Sequence, residues 1–145
     1  LKSKLLLVAI IFSLSTAKAN PVGLGDQDAI QGTWILISNE DGGRQKAIPA
    51  DLKVTITKDK IVFTSANKPK SELAFKLDST THPKSIDLTV RREAWLGIYE
   101  LTSDSLTICV NDDDGGKRAT NFESKPSSHN DVLMVFRRVN RISSD

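Results

Sequence analysis

The chain has 145 residues, 39% hydrophobic and 26% charged, with 20 Lys+Arg against 18 Asp+Glu and a single cysteine. Those figures fit one soluble globular domain with one core. They exclude a polytopic membrane protein, a disordered tail and a disulfide-stapled mini-protein.

The first nineteen residues read as a separate object. Lys2 and Lys4 form a basic start, Leu5 to Leu14 is an uncharged apolar run, and Ala17-Lys18-Ala19 places small residues before Asn20. This layout predicts a secretory signal peptide over residues 1–19, cleaved between Ala19 and Asn20. The run is half the ~20 residues a spanning helix needs, so no membrane span is expected in the mature chain. The expected location is secreted or periplasmic. Loss of Lys2, Lys4 and Lys18 leaves 17 basic and 18 acidic groups, which argues against a nucleic-acid surface. Arg91-Arg92 and Arg137-Arg138 are too short for an electrostatic stripe and read as solvated strand ends.

The remainder, residues 20–145, is one domain. Asp26 to Ile30 suggests a single helical turn plugging a barrel end, with Asp26 as its cap. Eight β-rich runs follow: Thr33–Asn39, Leu52–Thr57, Lys60–Ser65, Glu72–Leu77, Ser85–Val90, Trp95–Leu101, Leu106–Val110 and Val132–Arg138. Turn chemistry such as Glu40-Asp41-Gly42-Gly43 and Lys58-Asp59 separates them. Strict alternation in the second, fourth and fifth runs gives one buried and one wet face, the mark of antiparallel sheets. Short connections favour up-and-down pairing. Eight strands without intervening helices leave a barrel or a sandwich, and a closed barrel removes exposed edges.

Searching for chemistry yields little. His82 and His129 lack partners at zinc-ligand spacing, so no metal and no cofactor is expected. Asp112-Asp113-Asp114-Gly115-Gly116 misses the calcium-loop pattern and reads as a solvated turn. Cys109 sits in an apolar run and reads as a buried thiol. No nucleophile elbow or nucleotide loop occurs, so no catalytic residue is assigned. Trp95, Gly97, Tyr99 and Leu101 share one face of their strand, while Leu96, Ile98 and Glu100 share the other. Both faces are partly apolar, which suggests that the polar excursion Asn111–Asn130 covers the outside with Phe122 as anchor. Arg118 would pair with Glu100 or Glu123.

Gly32-Thr33-Trp34 resembles the G-x-W signature that opens the first strand of lipocalins. The resemblance implies barrel closure by Gly32, Trp34 and an arginine from the last strand, here Arg138. A second resemblance spans most of the mature chain. Its blocks are Ile30–Trp34, His82–Leu88, Gly97–Leu101, Leu106–Cys109 and Arg118–Ser124. These are similar to an uncharacterised, often secreted, lipocalin-like domain family abundant in planctomycete bacteria. That family usually has Pro and Glu where this chain has Ala119 and Asn121.

The expectation is an all-β, eight-stranded antiparallel up-and-down barrel, lipocalin-like. It would be a non-catalytic, monomeric binding protein holding a small apolar or amphipathic molecule. Trp34, Phe63, Phe75, Gly97 and Tyr99 would line the ligand site, with Gly97 supplying empty volume. The alternatives are a loop-mediated interaction or inhibitor module and a barrel hydrolase or lyase.

Overall fold

The computed structural model describes residues 25–127 and 131–140. The segment expected to be a signal peptide, its expected cleavage site and His129 lie outside the described residues. A one-turn helix α1 (Asp26–Ala29) precedes β1 (Gly32–Asp41), β2 (Arg44–Gln45), β3 (Lys53–Thr57), β4 (Lys60–Ser65), β5 (Lys68–Asp78), β6 (Lys84–Val90), β7 (Glu93–Leu101), β8 (Ser105–Asn111) and β9 (Asp131–Arg138). The two-residue β2 only folds back on the end of β1. The eight long strands follow sequence order, each antiparallel to the next, and β9 returns to β1 from Trp34↔Arg138 to Asp41↔Val132. The sheet is therefore a closed, lipocalin-like barrel, and closure leaves no continuous edge strand.

Alternation works as the pleat requires. Val54 and Ile56 of β3, Ile86 and Leu88 of β6, and Leu106, Ile108 and Val110 of β8 are at most 1% exposed and fill the interior. A second, smaller cluster of Ile98, Cys109 and Ala119, with Phe122 and Leu133 against it, lies outside the barrel wall. It forms because the excursion after β8 folds over β7, where the Ala119 N–H donates to the Leu96 carbonyl. Arg118 fastens this cover. Its Nη1 donates to the carbonyls of Ile86 and Gly97 at 3.1 and 2.8 Å, and its Nη2 lies 2.7 Å from Asp87. Asp87, not Glu100 or Glu123, is thus its ion-pair partner.

Two local features set the geometry of one barrel end. Register shifts between Leu36 and Ser38, so β1 carries a bulge there. One extra residue exchanges the faces of everything beyond it. Trp34 and Leu36 point inward before the bulge, whereas Asn39, opposite Met134, and Asp41, opposite Val132, point inward after it. Arg91 and Arg92 form the β6–β7 hairpin turn, with φ of 49° and 76°. They are a left-handed two-residue turn where Asn-Gly is the favoured sequence, rather than a simple strand end.

Candidate functional site

The barrel has a floor and a mouth. At the floor, α1 lies across the strand ends. Gly25 is its N-cap, so Asp26 is its first helical residue and not the cap expected from the sequence. Asp26 turns instead towards the barrel. It accepts hydrogen bonds from Lys84 Nζ at 2.7 Å and from the Tyr99 hydroxyl at 2.6 Å. Burial would raise the Asp26 pKa, but these two bonds and the Lys84 charge outweigh it and hold the carboxyl below its ordinary value. Burial and Asp26 together push the Tyr99 hydroxyl upward, so Tyr99 stays a donor.

Trp34 completes the floor. It is fully buried, its indole N–H donates to the Ile30 carbonyl at 2.9 Å, and the Arg138 guanidinium sits 4.1 Å from its ring centroid. Arg138 also donates to the carbonyls of Ser103 at 2.8 Å, Gln31 at 2.9 Å and Ala29. One side chain thereby ties the β7–β8 turn and the helix exit to the ring. Gly32 makes room for it. Its φ is 130°, and a Cβ there would stand 3.1 Å from Arg138 Nη1. The backbone angle favours glycine, and any side chain would also push on the guanidinium.

The residues expected to line a ligand site separate into three groups. Trp34 at 0%, Phe75 at 6% and Tyr99 at 1% exposure belong to the packed interior. Gly97 supplies no empty volume. A Cβ there would clash with the Cys109 carbonyl and with Val110 of β8, so glycine permits close strand approach. Phe63 alone is half-buried, near the end of β4 away from α1.

That opposite end is the mouth. Ile48, Leu52, Phe63, Val90, Trp95 and Val132 pack on the core cluster while remaining partly exposed. Trp95 donates to Glu93 at 3.1 Å. On the β1 wall, inward-facing Asn39 buries its Oδ1 without a hydrogen-bond partner among the described residues. Leaving a buried acceptor unmatched costs ~1–3 kcal/mol. Asp112 follows β8 at this end. Burial, and after it the charges of Asp41, Asp113 and Asp131, push its carboxyl pKa upward. The Asp-Gly turn itself is tied down, since Asp114 Oδ1 accepts from the Ala94 N–H at 2.8 Å. Asn39, Trp95 and Val132 escaped the sequence reading. The bulge that turns Asn39 inward has no sequence signature, although Trp95 shares its face with Tyr99.

Elsewhere, one cleft on the outer wall is lined by Lys76, Asp78, Thr81, Ser85, Asp87 and Arg118, and another lies beside Gly32, Thr33 and Arg138. Neither is lined by a buried residue of the interior cluster. His82 is exposed beside a cis peptide bond to Pro83. Cys109 is buried, its thiol 3.6 Å from the Glu123 carbonyl, and burial pushes its pKa up to about 11. A thiol so raised carries little thiolate near neutral pH. Among the described residues, no group of three His, Cys, Asp or Glu side chains is placed to hold a metal ion. No helix there is long and apolar enough to cross a membrane.

Comparison with protein-family models, curated proteins and solved structures finds no match for this chain.

Proposed function

We propose that the protein is an exported, non-catalytic binding protein that holds a small amphipathic molecule at the mouth of the barrel. The observation that carries this reading is the asymmetry of the two ends. The floor is sealed by α1, Trp34 and Arg138, with its polar groups paired. The mouth presents half-buried apolar side chains around a buried acceptor that has no partner among the described residues. Binding sites combine an apolar wall with a few placed polar groups. The ligand accordingly has an apolar body for Phe63, Val90 and Trp95 and a hydrogen-bond donor for Asn39. The likeness of the sequence blocks to secreted lipocalin-like domains supports the same reading. Export is checked separately, by intact mass of the secreted protein, which should begin at Asn20.

The test is competition. An environment-sensitive apolar fluorophore should bind saturably and be displaced by a medium-chain alcohol. The methyl ether of that alcohol, which lacks the donor, should displace it less well. One neutral hydrogen bond contributes ~1 kcal/mol net, or about five-fold in affinity. Asn39→Leu should erase that preference, and Trp95→Ala should weaken both competitors. Absence of saturable binding would refute the reading and favour recognition through the loops.

A further inference from the structure

The outer wall carries a feature that neither the core nor the mouth accounts for. Among the described residues, the large hydrophobic side chains left exposed are Ile35 at 39%, Ile37 at 51% and Val139 at 39%. Single exposed apolar residues are ordinary. These three share one face, the outside of the β1–β9 seam. Ile35 stands opposite Arg137, and the Val139 N–H donates to the Thr33 carbonyl at 3.0 Å. Val135, opposite Ser38, extends the same face. Ile37 keeps the outward parity of Thr33 and Ile35, and the bulge after Leu36 adds Ser38 to the same face.

Two opposite charges flank the part of this strip that holds Ile37, with Val139 lying beyond the arginine. Arg137 is exposed beside Ile35 and makes no ion pair among the described residues. Glu40 lies on the same outer face beyond Ile37, since its register partner Leu133 packs on the outer cluster. Glu40 is held by Gln45 Nε2 at 2.8 Å, which leaves its charge unneutralised. The strip therefore contains its own complement. A two-fold axis lying in the contact plane midway between Arg137 and Glu40 brings the arginine of each copy onto the glutamate of the other. Ile37 of each copy then meets its mate near the axis, and Ile35 packs to either side of it.

We propose that this face is a homodimer interface, formed by two copies of the chain packed wall to wall through β1 and β9. It departs from the monomer expected from the sequence and is independent of the ligand reading, because the strip lies on the outer face of the wall and Asn39 and Val132 on the inner one. Self-complementarity is what an isologous interface requires and what a patch for a foreign partner does not. The strip is narrow, so the dimer belongs to the small, weaker class of interfaces.

Sedimentation velocity on the mature chain, over a concentration series reaching the millimolar range, tests this. The wild type should shift from monomer to dimer with concentration. Ile37→Lys should stay monomeric throughout with an unchanged melting temperature, since the side chain is exposed. Arg137→Glu should weaken association, and adding Glu40→Arg to it should restore association to the wild-type range. A wild type that stays monomeric overturns the proposal. So does an Ile37→Lys variant that still dimerises, or a double variant no better than Arg137→Glu alone.

Discussion

Truncating Trp34 removes a fully buried ring that carries the Arg138 guanidinium on its face and donates to Ile30. Losing a buried Trp costs ~3–5 kcal/mol, against ~5–15 kcal/mol for a whole domain. Trp34→Ala should therefore unfold the domain or leave it marginal in a denaturant titration. Arg138→Met keeps much of the volume but strands the carbonyls of Ala29, Gln31 and Ser103. It should lower the midpoint clearly, by less than Trp34→Ala. A midpoint near wild type for both would show that the floor is not held this way. The Gly32-x-Trp34 spacing was legible as a motif, and its reason is now physical: the positive φ and the crossing arginine. Gly97 was legible only as missing volume. Whether a glycine opens a pocket or lets two strands approach depends on what stands opposite, and Val110 becomes its neighbour only once β7 and β8 are in register.

At the scale of elements, α1 behaves as a latch. Asp26 reaches Lys84 and Tyr99 across 58 and 73 residues of sequence. Its carboxyl pKa is lower in the folded chain than the 3.8 of the free side chain. The unfolded chain takes up the proton first, so this contribution is fully present above pH 3.8 and is lost as pH falls through the folded value. Asp26→Asn should lower thermal stability at pH 7. It should also flatten the loss of stability that wild type shows below pH 4. Equal slopes in that acid range would contradict the latch. The β6–β7 turn gives the opposite kind of prediction. Left-handed backbone costs a non-glycine residue about 1–2 kcal/mol. Arg92→Gly should raise the unfolding midpoint, less whatever glycine adds to the entropy of the unfolded chain. The alternation of β3, β5 and β6 made those strands plain in the sequence. The N-terminal extension of β5 through Lys68-Pro69-Lys70 was not plain, because Pro and Lys mark an edge and argue against a strand interior. There β5 pairs with β4 and runs beyond the end of β6, so edge residues are what the position calls for.

The whole molecule adds what no single strand contains. Eight β-rich runs pointed to a barrel, and the seam between β1 and β9 closes it. Closure distinguishes the two ends, and only then do Phe63, Val90, Trp95, Val132 and Asn39 belong to one mouth. Trp34, Phe75 and Tyr99 were expected to line a ligand site, but they went into the interior packing because each sits nearer the floor or mid-barrel. Asn39 was hidden by parity. Without the bulge it would face solvent. The excursion after β8 was legible as a cover for the apolar outer face of β7. Its ion pair with Asp87 was not, since Asp87 belongs to a strand that becomes adjacent only through β6–β7 pairing.

The central claim is that a sealed, packed floor supports a ligand-binding mouth. An amide and indole nuclear magnetic resonance titration of the protein with a medium-chain alcohol tests it most directly. The indole N–H signals of Trp34 and Trp95 lie at opposite ends and serve as paired reporters. The account predicts saturable shifts at Trp95, Asn39, Phe63, Val90 and Val132, with the Trp34 indole and the Tyr99 amide unmoved. Saturable shifts centred on Trp34 and Tyr99, or no saturable shift at the mouth, would contradict it.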